Sequence, residues 1–215
     1  MKRVCVLALV LFLSACASMP DYRTDVIVMR HGESQANVDH IIASNPVGLG
    51  KTVGLTHKGH DQARTSGAAI AALIAAHPHK GTIIVTSPFK RATETAEDVA
   101  DVLNVVGPTI VDPRFKERFF GVFEGLSTDN YEKIWTLDRQ DKSNPDWNVE
   151  TLESVYARTQ SALKELMKQY QDYAIVIVTH GDVASNMIAS AKGVDLKDHR
   201  EAGSLPAAGF ALLEP

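Results

Sequence analysis

Two short apolar runs far apart in the chain, Val26-Ile27-Val28-Met29 and Ala174-Ile175-Val176-Ile177-Val178, each lead into a histidine followed by a glycine, at His31-Gly32 and His180-Gly181. Runs this short and β-branched read as strands buried on both faces, and each glycine marks where the backbone leaves its strand. Further strand-like runs alternate with segments of helical periodicity, which predicts a three-layer α/β/α sandwich around a mostly parallel sheet. In open sheets of that kind ligands sit outside the carboxyl ends of the strands, where both histidines fall.

Between these runs the chain divides readily. Residues 38–54, with three glycines and one proline, read as a long loop. Thr56 is placed to cap an alanine-rich helix that ends near Pro78. Residues 82–86 form a second strand, closed by Ser87-Pro88, and a helix follows over 91–103. A short strand at 109–111 leads into a loop rich in phenylalanine and glycine at 115–126, then a short helix over 131–137. Residues 150–170 form a longer helix with Leu152, Val155, Thr159, Leu163, Leu166 and Tyr170 on one stripe. A helix at 183–191 and a last strand at 209–213 complete the fold.

The strand ends carry chemistry. In Ser87-Pro88-Phe89-Lys90-Arg91, an arginine falls in the first turn of a helix, where a cation opposes the helix dipole, so Arg91 calls for an anionic partner. If the three strand ends converge, Arg30, Arg91, His31 and His180 surround one small pocket. Phosphoryl transfer needs such a pocket, because charge spread over the equatorial oxygens is met by guanidinium forks. His31 is the candidate nucleophile, one ring nitrogen attacking while the other is fixed by a hydrogen bond. The leaving alkoxide needs a proton, and Glu117 is the candidate donor, its pKa raised by burial against phenylalanines. Glu124 and Asp182 remain alternatives for that role, and Glu117 could instead pair with Arg118. His57, His60, His77 and His79 read as surface histidines. Trp135 and Trp147 offer an apolar wall to a substrate, or core packing.

Taken together, these segments resemble the histidine phosphatase superfamily in its phosphoglycerate-mutase-like branch. Arg30-His31-Gly32-Glu33-Ser34 with Asn37 is similar to the family's nucleophile motif, and Leu55-Thr56 with Gly59 and Gln62-Ala63 to its next helix start. Ser87-Pro88 with Arg91-Ala92, Glu117 with Phe120-Gly121 and Glu124-Gly125, Glu153-Ser154 with Arg158, and Thr179-His180-Gly181 follow in order. The resemblance implies a phosphoglycerate-mutase-like fold and a phosphohistidine on His31. It also implies phosphate binding by Arg30, Arg91 and His180, proton donation by Glu117, and no need of a metal or organic cofactor. Asn37 and Thr56 are substrate-binding candidates on the same ground, though loops and caps use both residue types anyway. Two positions depart from the family: Glu94, read as surface variation, stands where many relatives have glutamine, and Asp182 where they often carry a neutral residue. A carboxylate at 182 could repel highly anionic substrates or act as a second acid.

Ahead of this domain, Lys2-Arg3, an apolar stretch from Val4 and Leu13-Ser14-Ala15-Cys16 resemble a bacterial lipoprotein signal. The expected division is a signal peptide at 1–15, lipidated Cys16 and a tether at 16–24, and the phosphatase domain at 25–215. That predicts a periplasmic-side, lipid-anchored protein, and the absence of aspartate after Cys16 favours the outer membrane. Loss of Lys2 and Arg3 takes the formal charge from −4 to −6, which argues against nucleic-acid partners. The leading expectation is an exported phosphomonoester hydrolase acting on a small phosphorylated substrate. The rivals are a mutase-type phosphotransferase and a non-catalytic module that binds phosphorylated ligands. Oligomeric state is unreadable from the sequence.

Overall fold

The computed structural model describes residues 23–213. The expected signal peptide, Cys16 and most of the tether lie outside the described residues. In chain order the elements are β1 (Asp25–Arg30), α1 (Gln35–Val38), α2 (Leu49–Thr52), α3 (His57–Ala75), β2 (Thr82–Thr86) and α4 (Lys90–Leu103). There follow β3 (Ile110–Val111), α5 (Tyr131–Arg139), α6 (Leu152–Gln169), β4 (Ala174–Thr179), α7 (Gly181–Ala191), α8 (His199–Gly203) and β5 (Phe210–Leu213). The strands form one sheet in the order β3-β2-β4-β1-β5, parallel except for β5.

Strand alternation explains why the sheet is covered on both sides. Val26 and Val28 of β1, with Ile175 and Ile177 of β4, pack against Val155, Ala162 and Leu166 of α6 and Met187 of α7. Ile27 and Met29, with Val176 and Val178, pack instead against Ile70 of α3 and Ala92, Ala96 and Val99 of α4. Fully burying one such Val, Ile or Met stabilises the fold by about 1.5–3 kcal/mol, so this double-sided core fixes the sheet under the site. The three-layer sandwich is therefore as the sequence predicts.

Register then sets the chemistry. Arg30 pairs with Thr179 across β1 and β4, so the next residues, His31 and His180, leave the sheet side by side. Close approach behind them depends on glycine: a Cβ on Gly32 would collide with the Gly59 carbonyl, and one on Gly59 with the Glu33 carbonyl. Thr56 caps α3 as expected, its hydroxyl accepting the Gly59 N–H at 3.0 Å.

Several readings need correction. The 38–54 segment is no bare loop, since it contains α2 and buries Ile42, Ala43 and Ser44. Ile42 N–H bonds to Leu126 O at 2.8 Å, and Ser44 N–H to Glu124 Oε2 at 2.7 Å, which pins the segment beside the site. Glu94 is not surface variation: its Oε2 accepts the Leu55 N–H at 2.6 Å and fastens the end of that segment to α4. His79 is not at the surface either, because its side chain is 4% exposed and Nε2 lies 3.1 Å from Asp25 Oδ2. His60 pairs with Asp98 at 2.6 Å. A polar partner, invisible to apolar periodicity, draws the His79 ring inward, whereas the His60 side chain stays 33% exposed. Helix α7 starts at Gly181 rather than 183, directly behind the second histidine.

Candidate active site

The carboxyl end of β1 delivers His31 to a cleft of about 90 Å3, lined also by Arg30, Asn37, Arg91, Glu117, Tyr131 and Arg200, while Ser87 and His180, at the ends of β2 and β4, are fully buried behind it. A second cavity of about 160 Å3, lined by Arg118, Asp138, Trp147 and Thr151 among others, contains neither histidine. The two imidazoles meet edge to face with centroids 5.2 Å apart.

Hydrogen bonds define the protonation of both rings. His31 Nδ1–H donates to Gly32 O at 2.7 Å, and Nε2 accepts from Arg91 Nε at 2.9 Å. A guanidinium can only donate, so Nε2 carries the lone pair and the ring is the neutral Nδ1–H tautomer. His180 is oriented the other way, with Nδ1 accepting from Arg91 Nη2 at 3.1 Å and Nε2–H donating to Ser87 Oγ at 2.7 Å. Burial, then the Arg91 charge, holds both imidazoles well below the usual histidine range.

Arg91 is the pivot. Its Nη2 also donates to Ala43 O at 2.8 Å, and its Nη1 is buried with no hydrogen-bond partner. Arg30 donates through Nη1 to Leu205 O at 2.9 Å, and its Nε is likewise buried and unpartnered. Among the described residues neither guanidinium makes a salt bridge, so the anion expected for Arg91 is not a protein carboxylate. Leaving a buried charged donor unsatisfied costs at least about 1–3 kcal/mol, and an oxyanion placed between the two forks would relieve that cost twice. The first turn of α7, through Gly181 and Asp182, also lines the cleft.

Glu117 lies across from this pair, with Oε1 accepting the Arg118 N–H at 3.0 Å and Oε2 3.9 Å from His180 Nδ1. Burial and then the Asp182 charge push its pKa up to about 7, against the pull of Arg91. The expected pairing with Arg118 is made only by that backbone N–H. The Arg118 guanidinium grips Asp138 at 2.7 and 2.9 Å and reaches Asp182 at 3.1 Å.

The alternatives for the donor separate by environment. Glu124 is outside the cleft lining, its Oε2 taken by the Ser44 N–H and hydroxyl, both at 2.7 Å. Asp182 lines the cleft but accepts from Trp135 Nε1 at 3.1 Å as well as from Arg118. Although burial raises its pKa, His199, Arg118 and Arg200 together hold it far below the usual carboxylate range. It stays ionised and has no proton to give near neutral pH.

Asn37 lines the cleft, with its carbonyl committed to the Ser34 N–H at 3.0 Å. Thr56 does not line it. Its hydroxyl caps α3 and donates to Glu33 Oε1 at 3.0 Å. Sequence reasoning missed Tyr131, His199 and Arg200. Tyr131 and Trp135 stack with centroids 5.1 Å apart, and their spacing of four on one helix was the available signal. Trp147 packs on Phe123 away from the cleft.

Comparison with known proteins decides the family. A model of the histidine phosphatase superfamily (branch 1) matches residues 26–214. The chain belongs to that superfamily. As a member it is an enzyme of the histidine phosphatase type, with a hydrolytic histidine and arginine centre that works without a metal. Among the described residues no group of three or more His, Cys, Asp and Glu could hold a metal ion, and no helix is long and apolar enough to cross a membrane. The uncharacterized phosphatase PhoE of Bacillus subtilis is 31% identical to this phosphatase over 176 residues, covering 80% of this chain and 79% of that protein. A 2,3-bisphosphoglycerate-dependent phosphoglycerate mutase of Bartonella quintana is 24% identical over 181 residues, covering 80% of this chain and 84% of its own. In fold, the phosphatase superposes on Bacillus stearothermophilus YhfR with a TM-score of 0.72 at 23% identity, over 89% of this chain and 91% of that one.

Proposed function

We propose that this enzyme hydrolyses small phosphomonoesters through a phosphohistidine on His31. The observation that carries the reading is Arg91, buried between the two imidazoles with an unpartnered Nη1 and with Nε on the His31 lone pair. When the phosphoryl group enters, the forks of Arg30 and Arg91 turn to its oxygens, with His180 beside them, which frees Nε2 of His31. That nitrogen attacks phosphorus, the P–O ester bond breaks, and Glu117 gives its proton to the leaving oxygen. In the second half the Glu117 carboxylate takes a proton from water as the water oxygen attacks phosphorus. The P–N bond breaks and its electron pair returns to His31. Asn37 contributes its amide N–H groups to the substrate. Thr56 is left with a supporting part, through Glu33 and the α3 cap. Hydrolysis is preferred to mutase chemistry because the curated relative with 31% identity is named a phosphatase.

The test is to quench the full-length enzyme during turnover of a 32P-labelled phosphomonoester. An alkali-stable, acid-labile label on the peptide containing His31 is expected. Turnover with no label on that peptide would show that the nucleophile is another group.

The same proposal places the domain behind a lipid anchor on Cys16, at the periplasmic side of a bacterial envelope and in the outer membrane. Its support is the sequence of residues 1–16, with a basic start, an apolar stretch and small residues before the cysteine. Growth with an alkyne palmitate should label the wild-type chain and leave Cys16→Ser unlabelled. Equal labelling of both chains would refute the anchor.

A further inference from the structure

The phosphoryl pocket accounts for Arg30, Arg91 and both histidines but leaves Arg200 without a task. Arg200 stands on α8 at the mouth of the cleft, its side chain 24% exposed and its guanidinium carbon 4.3 Å from the centroid of the Trp135 ring. Its Nη1 is 3.5 Å from Asp182 Oδ1 and makes one long hydrogen bond, 3.4 Å, to Ser185 Oγ. A guanidinium carries five N–H groups, so most of this fork is uncommitted. Asp182 engages only the Nη1 side of this fork, and Arg118 also donates to that carboxylate, at 3.1 Å.

Position matters as much as spare donors. A Cβ on Gly181 would lie 3.6 Å from Arg30 Nε and 3.9 Å from Arg200 Nη1, so two cations converge on the first turn of α7 from different elements. Like charges repel, and Arg200 adds to the burial that depresses the Arg30 pKa. The fold holds Arg200 there through Trp135, itself stacked on Tyr131 and donating to Asp182 at 3.1 Å. The repulsion once expected from Asp182 is cancelled by its cationic neighbours, so the carboxylate works as a brace for the arginine.

We propose that Arg200 receives a second anionic group on the substrate, a carboxylate or a second phosphate, beside the phosphoryl pocket. This rests on the phosphatase reading above and narrows it. The leaving group then bears its own negative charge, within reach of Arg200 in the cleft lining.

Two matched pairs of ligands test the proposal and separate its two sources: 3-phosphoglycerate against glycerol 3-phosphate for the carboxylate, and fructose 1,6-bisphosphate against fructose 6-phosphate for the second phosphate. Dissociation constants are measured by titration calorimetry on the full-length His31→Ala protein, and kcat/KM on the wild type. In at least one pair the more anionic member should bind about tenfold or more tightly. Arg200→Met, which keeps an apolar stem over Trp135, should bring that ratio to within about twofold, and Arg200→Lys should restore it in part, since a point charge lacks the fork. A purely structural arginine would weaken both members alike and leave the ratio standing. The proposal is overturned by an unchanged ratio in Arg200→Met, or by no preference in either pair. Should Arg200→Met fail to fold, the lysine variant reads the same ratio. Failure of the phosphatase reading is seen separately, as a wild type that turns over none of the four compounds, while the calorimetric ratios still report on Arg200.

Discussion

Replacing His31 with alanine is expected to lower kcat for phosphomonoester hydrolysis by about 10⁴-fold or more, the scale on which an enzyme loses its nucleophile. The size of the effect follows from how completely the ring is prepared. Gly32 O fixes Nδ1–H, burial and Arg91 keep the imidazole neutral, and the Nε2 lone pair is held by Arg91 Nε. Nothing else in the lining can inherit the task. His180 is fully buried behind the lining, bonded through Nδ1 to Arg91 and through Nε2–H to Ser87, and Asp182 is wrapped in cationic partners. Inorganic phosphate should still bind to His31→Ala, because Arg30 and Arg91 remain. Turnover by the variant within about a hundredfold of wild type would mean that water, activated by Glu117, attacks directly.

Glu117→Gln should lower activity and raise stability together. On an alkyl phosphate, whose leaving group needs protonation, kcat should fall by about 10²–10⁴-fold, and by much less on p-nitrophenyl phosphate. The stability arm follows from linkage. The carboxyl titrates near 7 in the folded enzyme against 4.5 ordinarily. Between those values the folded state holds a proton that the unfolded state has released. The contribution of Glu117 to stability is therefore fully present below about pH 4.5 and declines as pH rises towards 7, by at most about 3 kcal/mol. Glutamine carries no such penalty. Urea unfolding should show the variant gaining on the wild type between pH 5 and pH 8, with the falling limb of kcat/KM near pH 7 lost. A variant less stable than wild type at pH 8 would mean that the ionised carboxylate is held by Arg30 and Arg91 more strongly than burial disfavours it.

Legibility from sequence followed the range of the interactions involved. Strands β1 and β4 were plain because burial on both faces demands unbroken apolar residues, and their register brought His31 and His180 together as their shared ending implies. Arg91 was readable from a local conflict, a cation in the first turn of a helix. Thr56 was readable as a cap, and the structure gives it little beyond that. What escaped was assembled across the chain. Arg118 faces Asp138 on α5 and Asp182 on α7, and Arg200 meets Trp135 from α8; no local periodicity marks such pairings. The buried side chain of His79 was hidden for the same reason, since its partner, Asp25, lies at the start of another strand.

The direction of β1 also decides which way the enzyme looks. Asp25, at its amino end, is tied by its N–H to Tyr173 O at 3.2 Å, while His31 emerges six residues later at the opposite edge of the sheet. Six residues of strand rise about 20 Å, so the sheet is a rigid spacer between the start of β1 and the point where the enzyme reacts. A support grasping the chain ahead of Asp25, whether a bilayer or a bead, takes hold of the far pole and leaves the doorway turned outward. Dissolved phosphoesters then arrive from open solution.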